Sequence, residues 1–160
     1  MENFKGFLRS FVYAFRGIKY MIQNERNFRF HITFMAYMFG ILSLSDWFTI
    51  SRVEYAVLIL TCGSVISAEV FNTALENAVN LAKEEHTEYG RISKDTAAGA
   101  VLVNAIFAVI TGLIIMLQPE AFRKMADYFI SNPLMLLVFI ISLIPAVIFV
   151  LYGVNFRKRK

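Results

Sequence analysis

Four apolar runs limit what this chain can fold into. They cover about Phe30 to Leu44, extendable to Phe48, then Val53 to Val79, Thr96 to Leu117 and Pro133 to Val154. A helix needs ~20 mostly apolar residues to cross the hydrocarbon core of a bilayer. The last three runs meet that length, whereas the first is short and predicts a tilted helix or a locally thinned bilayer. Hydrophobic residues make up 58% of the 160, against about 45–50% in soluble domains. The expected fold class is therefore all-α, an integral membrane helical bundle. Pro145 falls inside the fourth run and predicts a kink that neighbouring helices tolerate. Cys62 is the one cysteine, which excludes an intrachain disulfide and a zinc site built from cysteines. Within its apolar run it reads as a small packing residue.

The segment before the first run has a different pattern. Phe4, Phe7, Leu8, Phe11, Val12, Phe15, Ile18 and Ile22 recur at helical spacing, with Lys5, Arg9, Arg16 and Lys19 on other faces. This predicts an amphipathic helix lying in the membrane interface. An uninterrupted apolar stretch of the kind a signal peptide needs is not found there. A polar knot, Asn24 to His31, separates this helix from the first run, and Asn24 is a candidate N-cap. Charge then sets the expected topology. Thirteen of the 16 Lys and Arg lie before the first run, between the second and third, or after the fourth. The positive-inside tendency places both termini and the 80–95 loop in the cytoplasm, with four spans. The segment Gln118–Asn132 is then extracytoplasmic. Its Phe122, Met125, Tyr128 and Phe129 predict a short amphipathic surface helix. In the 80–95 loop, Ser93 or Asp95 is a candidate cap for the third run. Asn104, alone within that run, predicts a hydrogen bond between helices.

The end of the second run carries the chemistry. At 100° per residue, Glu69, Asn72, Thr73, Glu76, Asn80 and Lys83 fall in one stripe roughly 100° wide on an otherwise apolar helix. A carboxylate facing hydrocarbon costs at least ~2.5 kcal/mol, so the stripe must face protein, water or a ligand. Glu69 and Glu76 are two turns apart, ~10.5 Å along the axis. Glu69 lies deeper, which is expected to raise its pKa and suit it to proton traffic. Glu76, together with Glu25 from the polar knot, offers two carboxylates for Mg²⁺ completed by phosphate oxygens. Lys94 and Lys83 are placed to meet anionic groups. These parts suit phosphoryl transfer. They equally suit a proton or ion pathway, or ion pairs that only fix helix packing. Neither a Walker loop nor a kinase glycine loop is present. His31 and His86 are too isolated to indicate a metal site and read as hydrogen-bonded interface residues.

Several blocks resemble one family. Glu69-Val70-Phe71-Asn72-Thr73-Ala74-Leu75-Glu76 resembles the signature E-x-x-N-[ST]-A-[IL]-E of the prokaryotic diacylglycerol kinase family, small integral-membrane lipid kinases. Lys94 to Leu102 resembles its second block, K-D-x-A-A-G-A-V. Ala14 to Ile18 and Glu25 to His31 resemble N-terminal blocks of the Gram-positive branch, whose members are undecaprenol kinases. The match covers about residues 4–117, in order and with the family's spacing.

That resemblance implies a membrane lipid kinase unit over residues 1–118, with a surface helix and three transmembrane helices. It implies ATP- and Mg²⁺-dependent phosphorylation of a lipid's primary alcohol, undecaprenol first and diacylglycerol second. Its implied partners are the lipid, ATP and two further copies of the chain in a homotrimer with shared active sites, and no nucleic acid. The implied location is the cell inner (cytoplasmic) membrane, with the site at its cytoplasmic face. By position, Glu69 is implied as catalytic base, and Glu25 and Glu76 as ligands of the metal held by ATP. Tyr13, Glu25, Glu76, Glu85, His86, Lys94 and Asp95 fall at nucleotide-contacting positions, Asn72 at a supporting one and Ala98 where lipid is approached. Asn80 stands where an aspartate is usual, which removes one charge from the metal end of the stripe. Residues 119–160, with a fourth transmembrane helix and the basic tail Arg157–Lys160, lie outside the family unit. A reading of another class, a non-catalytic membrane component or proton-linked transporter, is distinguished by whether ATP is consumed in proportion to lipid phosphate.

Overall fold

A computed structural model describes residues 2–83 and 86–154. Six helices follow one another, α1 (Glu2–Asn24), α2 (Arg26–Leu44), α3 (Arg52–Leu81), α4 (Glu88–Met116), α5 (Pro119–Ser131) and α6 (Pro133–Tyr152), and there is no strand among the described residues. Three of them, α3, α4 and α6, are long and apolar enough to cross a membrane. α2 falls short of that standard, because its first turns spend positions on Arg26, Arg29 and His31. At 1.5 Å per residue, the 30 residues of α3 reach about 45 Å, longer than the ~30 Å hydrocarbon core. One end of α3 therefore projects from the apolar slab.

α3 and α4 form the main helical pair; α2 lies against α3 on one side and α6 on the other. Met38, Leu58 and Ile115 make the small buried core between α2, α3 and α4, with Phe39, Leu42 and Cys62 packed around it. The packing role expected for Cys62 is thus the observed one. α1 meets α2 at its C-terminal end, where Met21 is buried, and residues 5–20, with Phe7, Phe11 and Phe15 among them, are exposed on all faces. α5 is the short amphipathic helix expected between the last two runs. α6 has no buried residue and continues as helix through Pro145.

The end of the molecule formed by the α2–α3 and α4–α5 turns is closed by polar and aromatic contacts. Gln118 accepts from the Thr49 amide and donates to the Thr49 carbonyl, both at 3.1 Å. Trp47 meets Tyr128 and Phe129 of α5 at ring separations of 5.3 and 5.6 Å. A capping box starts α3: the Glu54 amide donates to Ser51 Oγ, and the Ser51 amide donates to the Glu54 carboxylate.

Several local expectations change. α4 starts at Glu88, two turns before the apolar run, so Ser93 and Asp95 lie inside the helix rather than capping it. Thr87 is the cap, and its side chain accepts from the Gly90 amide. Asn24 closes α1 instead of opening α2, whose N-cap is Glu25. Asn104 donates to the Ala100 carbonyl of its own helix, not to a neighbour. α3 ends at Leu81, and Lys83 takes a left-handed backbone (φ 59°), so Lys83 leaves the polar stripe. Glu85 and the tail Arg157–Lys160 lie outside the described residues.

Leu58 is 2% exposed and Leu60, on the same helix, 72%. Leu58→Ala is expected to destabilise the protein by about 2 kcal/mol or more through the cavity it leaves, and Leu60→Ala by much less. Thermal unfolding of the two variants in one detergent measures the difference.

Candidate functional site

Four chain segments meet at the end of the molecule opposite the Gln118 clamp: the joint between α1 and α2, the last turns of α3, the first turns of α4 and the end of α6. The α1–α2 joint is one residue long, and that residue is Glu25. It faces the stripe on α3. The polar side of α3 is turned inward here: Glu69 is 3% exposed and Thr73 4%.

Each carboxylate has its own surroundings. Glu69 lies 3.4 Å from His31 Nε2, which comes from the second turn of α2. The imidazole edge thus lies beside this buried acid. Asn72 donates to Glu76 Oε1 at 2.9 Å and fixes its rotamer. The other amide atom, Asn72 Oδ1, is buried and has no hydrogen-bond partner among the described residues. Burial, and the nearby charges of Glu76 and Glu69, push the Glu25 carboxyl above its ordinary range, while Arg29 draws it back. Glu25 thus feels the negative charge of both acids on α3. Further along the stripe, Lys94 of α4 donates to Asn80 Oδ1 at 3.1 Å. The side chain at position 80 therefore holds an ammonium group in place without a carboxylate.

A divalent cation fits this donor set. Glu25 and Glu76 could offer it two hard oxygen donors. Among the described residues no three acids, histidines or cysteines gather as a closed metal site. Two carboxylates suit Mg²⁺, which keeps its remaining positions for water and phosphate oxygens.

Other expected residues are not brought to these acids within one chain. Tyr13 is 61% exposed on α1, with the Arg16 guanidinium 5.7 Å over its ring. Asp95 pairs with Arg91 on an exposed face of α4 at 3.1 Å. His86 lies in the exposed turn before α4, and Ala98 on an exposed face of that helix. The neighbouring Ala97 and Ala100 instead line a groove of about 480 Å³ with Ser67, Ala68, Asn72 and Asn104. A second groove, about 430 Å³ and almost wholly apolar, runs from His31 between α2, α3 and α4, past Phe34, Val65 and Val109 to Gly112. His31 and Arg29 are the site residues whose roles sequence reasoning missed. The signal available was their place in the polar knot beside Glu25.

Comparison with known proteins places the chain among lipid kinases. A model of the prokaryotic diacylglycerol kinase family matches residues 12–116. An undecaprenol kinase of Bacillus subtilis (strain 168) is 39% identical over 111 residues, covering 69% of this chain and 88% of the relative. A diacylglycerol kinase of Synechocystis sp. is 41% identical over 113 residues, covering 70% of this chain and 63% of the relative. One from Escherichia coli (strain K12) is 26% identical over 114 residues, covering 71% and 91%. No solved structure matches significantly. The matched residues include all three acids and stop before α5 and α6.

A carboxyl with a raised folded-state pKa stabilises the fold below its ordinary value of 4.5, and that contribution is lost as pH rises through the raised value. Without divalent cations, thermal stability is therefore expected to fall as pH climbs above 4.5. Glu25→Gln should flatten that fall, and Mg²⁺ should offset it in the unaltered protein only at the higher pH. Melting curves with and without Mg²⁺ across this range check both signs.

Proposed function

Because the chain belongs to the prokaryotic diacylglycerol kinase family and is a membrane lipid kinase, we propose that it moves the γ-phosphoryl group of ATP, with Mg²⁺, to the primary alcohol of undecaprenol, giving undecaprenyl phosphate. The convergence of Glu25, Glu69 and Glu76 at the end of an otherwise apolar bundle carries this reading. A lipid alcohol and a soluble nucleotide can meet only where the membrane ends. The length of α3, about 45 Å, with Glu76 toward its end and Glu69 two turns earlier, supports a site at such a border.

Glu25 and Glu76 would hold the magnesium. Bound there, the ion neutralises phosphate charge and lines up the donor. Lys94, steadied by Asn80, supplies a second positive charge for the phosphates. Glu69 accepts the proton of the lipid hydroxyl as its oxygen attacks phosphorus in line, the bond to the leaving ADP oxygen breaking in the same displacement. His31 keeps the Glu69 carboxylate aimed. The apolar groove starting at His31 gives a lipid chain a path into the bilayer while its head stays beside Glu69.

We place the protein in the cell inner membrane, both termini cytoplasmic, with the site at the cytoplasmic face, on the charge asymmetry of the chain. A homotrimer is proposed as well. Tyr13, Asp95 and Ala98 are exposed and away from the acids of their own chain, and the groove of small residues between α3 and α4 leaves room for another helix. Diacylglycerol is the second reading for the acceptor, favoured by the 41% identical relative of that name.

Labelled ATP offered with undecaprenol and diacylglycerol side by side tests the reading. Preferential label on undecaprenol is expected; label on diacylglycerol alone would move the acceptor, and label on neither would sink the proposal. Glu69→Gln is expected to lower turnover by about 100-fold or more while nucleotide binding persists, since it removes the base and leaves the metal ligands.

A further inference from the structure

The matched family region ends before α6, yet α6 reaches the site. Its contact there is Arg29, 4% exposed, one turn past Glu25. Arg29 Nε donates to the Val150 carbonyl near the end of α6, at 3.2 Å. One terminal nitrogen donates to the Ile22 carbonyl near the end of α1, also at 3.2 Å. Both acceptors belong to last turns, where carbonyls lack partners within their own helix. The neighbouring carbonyls are already used: the Glu25 amide takes Met21 and the Gly153 amide takes Phe149. One guanidinium therefore ties together the ends of α1 and α6, and it sits at the negative pole of both.

Gly153 completes the arrangement. It ends α6 with φ 69°, buried, and a Cβ there would stand 3.2 Å from the Arg29 guanidinium carbon. Only a glycine gives both the turn and the space. Farther down the same interface the Tyr37 hydroxyl donates to the Ser142 carbonyl at 2.7 Å, so α6 is pinned to α2 at two levels.

We infer that α6 is a positioning element for Glu25: its C-terminal end seats Arg29, and Arg29 locks the one-residue joint that carries the carboxylate. This rests on the kinase reading of Glu25 as a ligand for Mg·ATP. α1 and α2 meet with no linker between them, so a small rotation at the joint swings Glu25 through ångströms relative to Glu76. Misplacement of that size weakens binding and positioning without removing a catalytic group. Arg29 is a positioning residue in this scheme, and α6 acts through it.

The test uses the full chain with three substitutions. Gly153→Val crowds Arg29, Arg29→Lys keeps the charge but loses the fork, and Tyr37→Phe loosens α6 away from the joint. Gly153→Val and Arg29→Lys are expected to raise KM for Mg·ATP about tenfold, with kcat and the lipid KM changed little. Hydrogen exchange over residues 22–29 should quicken in both. Tyr37→Phe should match the unaltered protein in kinetics and in exchange at the joint. Unchanged exchange and kinetics in the first two variants, beside an active parent, overturn the inference alone. So does a uniform loss of kcat and both KM values, or an equal effect from Tyr37→Phe, because either means general loosening. A parent that labels no lipid overturns the kinase reading and this inference with it, whereas exchange at the joint still reports whether the Arg29 seat exists. If Gly153→Val does not fold, Arg29→Lys carries the same comparison.

Discussion

Charge on an apolar helix has to be answered within a few ångströms, and the rest of this structure is arranged around that requirement. Glu69 is buried on a helix long and apolar enough to cross hydrocarbon, where an unanswered carboxylate costs about 2.5 kcal/mol or more. Its nearest polar neighbour from another helix is His31 of α2, 3.4 Å away. That pairing fixes the rotation of α2 against α3, because turning either helix would expose the acid. The same logic repeats toward the end of α3, where Asn72 holds Glu76 and Lys94 of α4 reaches Asn80. His31 and Lys94 bring α2 and α4 to the stripe, whereas Asn72 and Glu76 pair within α3 itself.

The two ends of the bundle do different work. The Gln118 clamp and the rings of Trp47, Phe129 and Tyr128 close one end with neutral contacts. The other end is charged and brings Glu25 near Glu69 and Glu76.

Much of this was legible in sequence, for physical reasons that differ by element. The long helices follow from apolar length, α5 from its amphipathic spacing, and the stripe from the 100° turn of a helix on which Glu69 and Thr73 did prove buried. The start of α4 was missed because its first two turns, Glu88 to Asp95, are polar, and hydropathy does not register a helix leaving the membrane. Lys83 was assigned to the stripe because a helical wheel has no terminus, whereas the real helix stops at Leu81. His31 beside Glu69 was out of reach, since nothing local sets the register between α2 and α3. The Arg29–Val150 bond spans 121 residues and depends on a helix outside the recognisable motifs. Contacts between elements are decided by packing, and packing is not periodic in sequence.

α1 stands almost clear of the rest of the chain, with residues 5–20 exposed on every face. Its apolar stripe of Phe7, Phe11 and Phe15 stays uncovered, so a lipid surface is the wall that suits it. The helix is in that sense a float, and a single residue separates it from α2. Headgroup spacing and leaflet curvature set how deep a float rides. Through that one joint, the texture of the outermost few ångströms of the leaflet becomes an input to the height at which a carboxylate stands.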